Sequence, residues 1–476
     1  MASGKAVRAY VLVKADAALV PIYEGGDYAR IGEALSRRLA PRAASTIRIA
    51  GLPSLPGLIQ PSTEGKEQDR REQRGFWAAR EVAPSVDARL SESLRTSWER
   101  KRARLDTLVV GIETDDATVA GLAEDAAAGR GEVVAAGIDL QVFAARRPAS
   151  AVSDQMFSDS AAADRLIGAA ALRDPVRFPA GPLEGAGVNV AVFDHGLDAS
   201  RLPRFGGGWA KPPRQPGTTA GGHGMAMARR ILALAPMATL HDYAVLPDRI
   251  GEIDAWASDI TAAFVDMIAD IKAARAGGNA GPWVALNAWS VFKRDWNPGN
   301  GSPDDPLHPL NKITTDAVAE GCDVVFAAGN CGQFLPDPRC GCSDRGPGAS
   351  ILGANAHPDV VTVAAVRADG AWIGSSSQGP GPAPARLLKP DISAPSHFRD
   401  GDDAARLNTG TSTASAVIAG AIAALRQGWP ALPPAAMKQL LIDTARAADG
   451  GPGWSNRTGH GIIDLQAAVD AIGAQP

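Results

Sequence analysis

From about residue 183 onward the chain repeats one hydrophobic pattern. Continuous apolar runs, VNVAVFD, ATLHDYAVL, WVALNAWS, CDVVFAAGN and VVTVAAV, alternate with stretches such as HGMAMARRILALA, DITAAFVDMIADIKAARA and PLNKITTDAVAEG. In those stretches the apolar positions recur every three to four residues, the helical spacing. Strands that are apolar at every position are covered on both faces, and the intervening helices supply the crossovers. The pattern therefore predicts an α/β fold with a mostly parallel sheet and helices on both faces. In such a sheet, reactive groups are expected beyond the carboxyl ends of the strands. The longest irregular stretch, residues 331–358, has the length of a functional loop.

The preceding part of the chain is patterned differently. AVRAYVLVKA begins like a strand, YARIGEALSRRLA has helical spacing, and GLPSLPGLIQPS is broken by proline into loop. EGKEQDRREQRGFWAAREV and LSESLRTSWERKRARL carry both signs of charge and read as solvated helices. DTLVVGIETD, DATVAGLAEDAAAG and GEVVAAGIDLQVFAAR then read as strand, helix and one or two strands, a small α+β unit. The expected organisation is an N-terminal accessory region at 1–105 and a small module at 106–150, folded as an accessory or acting as an inhibitory pro-segment. A linker with a lead-in helix follows at 151–182, then the main domain at 183–476.

Composition narrows the class. Of 476 residues, 45% are apolar and 21% charged, and 52 Gly with 35 Pro stay below the roughly 25–30% combined share that marks low complexity. Wholesale disorder is excluded. With 48 basic and 52 acidic residues the net charge is −4, too balanced for a nucleic acid as main partner. No run approaches the ~18 apolar residues of a membrane span, and the N-terminal AYVLV run ends at Lys14 and Asp16 before an export signal could form. The expectation is a cytoplasmic protein without nucleic-acid or membrane partners. The four cysteines, Cys322, Cys331, Cys340 and Cys342, crowd into one stretch. They are not spread as a disulfide framework and include no Cys-x-x-Cys pair. Reduced thiols, a Cys331–Cys340 disulfide and metal ligation all remain open.

Four blocks carry chemistry. VNVAVFD runs out at Asp194; GGHGMAMA places His223 between glycines at the mouth of a helix; CDVVFAAGN runs into Asn330; and GTSTASAVIAG sets Ser412 at the start of a small-residue, buried helix. Taken singly, each residue is an ordinary cap or a satisfied polar group. Together they are an acid, a base, a nucleophile at a helix N-terminus with unpartnered N–H groups, and an amide donor, the parts acyl transfer requires.

In the order Asp, His, Asn, Ser these blocks resemble those of the subtilases, the subtilisin-like serine proteases, and triad folds of other families use other orders. HPDVVTVAAVRADG, SSSQGPG, KPDISAPS, AAMKQLLIDTA and GHGIIDLQAAVDAI extend the likeness over roughly residues 183–473. The resemblance implies a three-layer subtilisin-like fold and a serine endopeptidase acting through an acyl-enzyme on a protein or peptide. Ser412 would be the nucleophile, His223 the base, Asp194 its orienting carboxylate and Asn330 the oxyanion donor, with Asn287, Ala288, Trp289 and Ser290 on the substrate-binding strand. It implies no cofactor for the chemistry. Structural calcium is common in the family, yet no acidic loop here is distinctive enough to name a site.

The departures bear on regulation. Thr413 and Ala416 replace the family's usual Met and Pro, and His195 stands where a small residue is typical, a second imidazole able to tune the triad. LNAWSVFKRD lacks the glycine that flattens the specificity pocket, so a narrowed or reshaped pocket is expected. A protease expected in the cytoplasm needs restraint, which narrow specificity, latency or a regulatory partner would supply. The competing reading is a catalytically silent binding or scaffold protein of the same fold.

Overall fold

The computed structural model describes residues 6–14, 48–51, 107–131, 133–138, 143–144 and, apart from short stretches, 158–473, together with Leu35 and Leu39. It divides into two compact units, residues 1–139 with 299–301 and residues 140–298 with 302–476.

In the smaller unit, strands β1 (Ala6–Lys14), β2 (Arg48–Gly51), β3 (Thr107–Asp115) and β4 (Val133–Ile138) form an antiparallel sheet in the order β2-β3-β1-β4. Helix α1 (Asp116–Ala127) starts at Asp115, whose carboxylate accepts the Thr118 N–H at 2.8 Å, a side-chain N-cap. Ala9, Val11 and Val13 are buried at alternate positions of β1, and α1 buries Val119, Leu122 and Ala123. The boundary expected at 105/106 is corrected by this pairing. β1 lies hydrogen-bonded between β3 and β4, so the strand at 6–14 and the module after 106 are one sheet. The charged stretches expected as helices at 64–105 lie outside the described residues.

The larger unit is built on seven parallel strands. These are β6 (Asn189–Asp194), β7 (Phe205–Ala210), β8 (Thr239–Ala244), β9 (Trp283–Asn287), β11 (Cys322–Ala327), β12 (Val361–Val366) and β13 (Ile392–Pro395), in the order β13-β12-β11-β9-β6-β8-β7. From β6 the chain builds first toward β8 and β7, then toward β9 and beyond. The order thus reverses between β6 and β9, where a crevice opens beyond the strand ends. Between these strands run α2 (His223–Leu234), α3 (Ala257–Ala276) and α4 (Pro309–Ala319), and after β13 comes α5 (Gly410–Gly428). The short helix Ser160–Leu166 and the turn after it also belong here. Ile167 and Leu172 are in the core and the Ile167 carbonyl accepts the Leu465 N–H at 2.8 Å, so the expected linker at 151–182 is partly core.

The apolar strands do have two covered faces. Val190 and Val192 join the core cluster with Ala228, Ile231, Ala414 and Ile418, while Phe193 points the other way and stacks between Tyr243 and Phe264, at 4.7 and 4.3 Å. Every residue of α5 from Gly410 to Arg426 is buried. Its small side chains permit this: a Cβ on Gly420 would stand 2.9 Å from the Ile231 carbonyl, so only glycine lets α5 and α2 approach so closely.

At its far end α5 is tied to the sheet by a charge pair. Arg426 donates through Nε and Nη2 to the two oxygens of Asp323 on β11, at 2.6 and 2.8 Å, and both side chains are 2% exposed. Burial pushes the Asp323 carboxyl up, and the guanidinium offsets part of that. Arg426→Ala is therefore expected to lower unfolding stability by about 3–5 kcal/mol, because a charge is left buried alone. In urea melts, replacing both residues by Leu should cost clearly less than Arg426→Ala; a double variant as damaged as the single would remove the basis of this account.

Candidate active site

Asp194 is the last residue of β6 and has no exposed surface. A bare carboxylate there would be prohibitively costly, and its oxygens are accordingly saturated. Oδ2 accepts from His223 Nδ1 at 2.7 Å; Oδ1 accepts from the His195 backbone N–H at 2.7 Å, from His195 Nδ1 at 3.1 Å and from His223 Nδ1 at 2.9 Å. Burial raises the Asp194 pKa, but the charge of His223 and the hydrogen bonds from His195 and His223 outweigh it, holding the carboxyl well below the usual carboxylate range.

His223 is the first residue of α2, and close backbone approach brings it to Asp194. A Cβ on Gly224 would lie 2.4 Å from the Gly196 carbonyl, so the first turn of the helix rests directly on the turn after Asp194. That turn is also held by Arg214, which donates to the carbonyls of His195 and, at 2.7 Å, Leu246. The His195 and His223 rings meet edge to face, 5.7 Å between centroids.

Ser412 lies in the first turn of α5, fully buried, and its Oγ donates to the Ala288 carbonyl at 3.2 Å. Ala288 links β9 to the short strand β10 (Trp289–Ser290), so the hydroxyl abuts the segment expected to bind substrate. Asn330, three residues past β11, is oriented by the residue before Ser412. Its Oδ1 accepts the Thr411 N–H at 3.0 Å and the Thr411 hydroxyl at 3.1 Å, and that hydroxyl in turn accepts the Gly329 N–H at 3.1 Å. The Asn330 side-chain oxygen is thus committed to Thr411, which fixes the orientation of the amide.

The expected site residues thus gather at the carboxyl end of the sheet, with two surprises in the strand expected to bind substrate. The Trp289 ring is turned into the core, edge-on to Phe326 at 5.1 Å, its indole N–H on Asn287 Oδ1 at 3.1 Å. Its bulk therefore lies beneath the strand. β10 is also already paired: residues Phe143–Ala144 form a strand, β5, antiparallel to it, with Ala144 opposite Trp289 and Phe143 opposite Ser290. Of the open states for the cysteines, the structure adopts the disulfide for Cys331 and Cys340; Cys322 and Cys342 lie outside any disulfide. The bridged loop starts directly after Asn330 and packs on Phe292, with Arg339 over that ring at 4.2 Å. Among the described residues, the group of side chains able to hold a metal ion is Asp194, His195 and His223, which offer one ligand atom each within 4.8 Å of one another.

Three contributors escaped the reading of the sequence. Thr411 could have been suspected from its place beside Ser412. Asn355, whose NH₂ straps the Trp289 and Ala327 carbonyls together at 2.8 Å each, stands in a single 3₁₀ turn, Gly353–Ala356, too short to leave a periodic signal. Asp242, on β8 in register with Val192, sits in an apolar run that hides it. Burial pushes its pKa up to about 6, against hydrogen bonds from the Gly217 and Leu197 backbones and the charge of Arg214; the charge of Asp194 adds to the rise.

Because the folded state holds the Asp242 proton more tightly than the unfolded state, ionisation erodes stability as pH rises from about 4 to about 6. Asp242→Asn escapes this loss. Its stability relative to wild type should improve by up to roughly 3 kcal/mol between pH 4 and pH 7. Thermal melts across that range check it, and a difference independent of pH would contradict the assignment.

A family model for the subtilase family matches residues 185–461. Subtilisin BL and subtilisin Savinase, both of Lederbergia lenta, are each 28% identical to this chain over 298 residues, 60% of it and 92% of theirs. In fold, the chain is similar to fervidolysin from Fervidobacterium pennivorans, a keratinolytic enzyme related to subtilisin. The TM-score is 0.55 at 15% identity, covering 98% of this chain and 61% of that one. With the family model spanning more than half of its length, the chain belongs to the subtilase family and is a subtilisin-like serine endopeptidase, acting on proteins or peptides.

Proposed function

We propose that peptide-bond hydrolysis is carried out by Ser412, His223 and Asp194, with Asn330 and the Ser412 backbone N–H binding the oxyanion. The observation that carries this reading is the contact of His223 Nδ1 with the buried Asp194 carboxylate at 2.7 Å. It fixes the ring so that Nε2 is the nitrogen left to accept a proton. Ser412 Oγ attacks the scissile carbonyl and passes its proton to His223 Nε2, which returns it to the leaving amine. Water then attacks the acyl-enzyme with His223 again as base, releasing the new carboxyl end and restoring the hydroxyl. Asp194 stays ionised throughout, orienting the imidazole and stabilising its cation.

The finer reading is that the protease is latent and narrow in specificity. Latency is supported by β5, which occupies the antiparallel position on β10 that an extended peptide would take, next to the carbonyl that Ser412 contacts. Narrow specificity is supported by the segment Ala288–Phe292, buried at 3% exposure or less throughout, with Val291 where the family pattern has glycine. On location, the Cys331–Cys340 bridge supports an oxidising compartment over the cytoplasm expected from the N-terminal sequence.

A fluorophosphonate probe with intact-mass readout tests the whole reading. Wild type should label once per chain and Ser412→Ala not at all, and labelling of Ser412→Ala would overturn the nucleophile. Latency requires labelling to lag and to keep pace with loss of the segment up to the 140–150 region, a truncation absent in Ser412→Ala. Immediate full labelling of the intact chain would sink latency alone. Asn330→Ala should lower kcat by ~10²- to 10³-fold with KM little changed, the loss known for this donor in subtilisin itself and borrowed here.

A further inference from the structure

The Asp194 carboxylate carries one imidazole more than the proposed chemistry uses. His223 serves the nucleophile; His195, next along the chain, turns its ring back so that Nδ1 reaches Oδ1 at 3.1 Å while its own N–H holds the same oxygen at 2.7 Å. Two imidazole nitrogens and a carboxylate oxygen, all within 4.8 Å of one another, form the donor set with which proteins hold zinc while leaving one position to solvent. An Asp-His pair without the second histidine has only two such donors.

We propose that Asp194, His195 and His223 form an inhibitory binding site for a zinc ion at the heart of the proteolytic machinery; the inference rests on the triad assigned above. Tetrahedral zinc, bonded at about 2.0–2.2 Å, sets its ligand atoms about 3.3 Å apart. The two Nδ1 atoms now lie 2.7–3.1 Å from the carboxylate oxygens, so small ring movements admit the ion. The His195 backbone N–H stays on Oδ1 and keeps the carboxylate aimed, the role an outer hydrogen bond plays at metal sites. Both imidazoles retain a little exposed surface, 8% for His195 and 7% for His223, whereas Asp194 has none, so the ion enters from the ring side.

Inhibition follows from the proton count. Neutral His223 has a single N–H, now on Nδ1 and directed at Asp194. With zinc on Nδ1 that proton must reside on Nε2, the atom that has to accept the Ser412 proton. The imidazole is then no longer a base, and Asp194 no longer orients it. No proton is consumed by a neutral ring, and a protonated ring releases one on binding. Calcium and magnesium, which favour oxygen donors, should neither bind here nor inhibit.

The test separates binding from catalysis. The full chain carrying Ser412→Ala is dialysed against zinc chloride and its metal content counted, alongside Ser412→Ala/His195→Phe and Ser412→Ala/His195→Gln. Cobalt(II) is used in parallel for the visible absorption of a tetrahedral site. The proposal requires one zinc equivalent, and the cobalt band, to be lost with either His195 substitution. Equal metal content in all three proteins overturns it, and the Gln variant guards against a Phe variant that fails to fold. Fluorophosphonate labelling of wild type should fall at least tenfold in a zinc concentration that changes the His195→Gln protein by less than twofold. EDTA should restore it and calcium should have no effect; equal inhibition of both proteins also overturns the site. Failure of wild type to label without metal speaks against the Ser412 reading, while the zinc count on Ser412→Ala still decides the metal site.

Discussion

A carboxylate with no access to water must be surrounded by donors, and the active site is organised around that requirement at Asp194. The end of a buried parallel strand has no side-chain partners of its own. The donors therefore come from elsewhere: the next peptide N–H, the imidazole that follows it, and the imidazole that opens α2. Bringing the last of these into range requires the helix to sit on the turn at Gly196 with no side chain between. The buried charge that fixes His223 is thus also what the surrounding backbone is arranged to pay for.

The same arrangement continues through α5. Helix α2 can rest where it does because α5 presents glycine and alanine to it. α5 in turn holds Ser412 and Thr411 at one end and Arg426 at the other, locked to Asp323 on the central sheet. Thr411 passes the order on to Asn330, and Asn355 straps the strand after Asn287 to the strand leading into Asn330. Ser412, Asn330 and the strand at Trp289–Ser290 are therefore positioned by hydrogen bonds between elements far apart in sequence. Rigidity of this kind is what the proposed oxyanion donors would need, aimed in advance at charge that forms only during reaction.

Other segments are attached around this frame. β5 pairs with the strand at Trp289–Ser290, and a disulfide-closed loop begins at the residue after Asn330. His195 adds a second ring to the one carboxylate the site depends on. Each is attached to one edge of the frame and leaves the buried charge, the close-packed helix and the aligned strands in place.

The sequence by itself determined the fold class and singled out residues that the fold brings to one end of the sheet. The stretches VAVF before Asp194 and VVFAA before Asn330 are continuously apolar because both faces are covered, and Asp194 and Asn330 follow them where a parallel sheet opens its crevice. Local pattern carries that information because burial acts on each strand separately. What only the tertiary structure decided are the relations between distant segments. These are the pairing of 6–14 with 107–115, Trp289 turning inward, the choice of a disulfide for Cys331 and Cys340, the strand at 143–144, and the hydrogen bonds of Thr411, Asn355 and Asp242. Such contacts depend on which surfaces meet once the helices have closed on the sheet, and no periodicity along the chain records that.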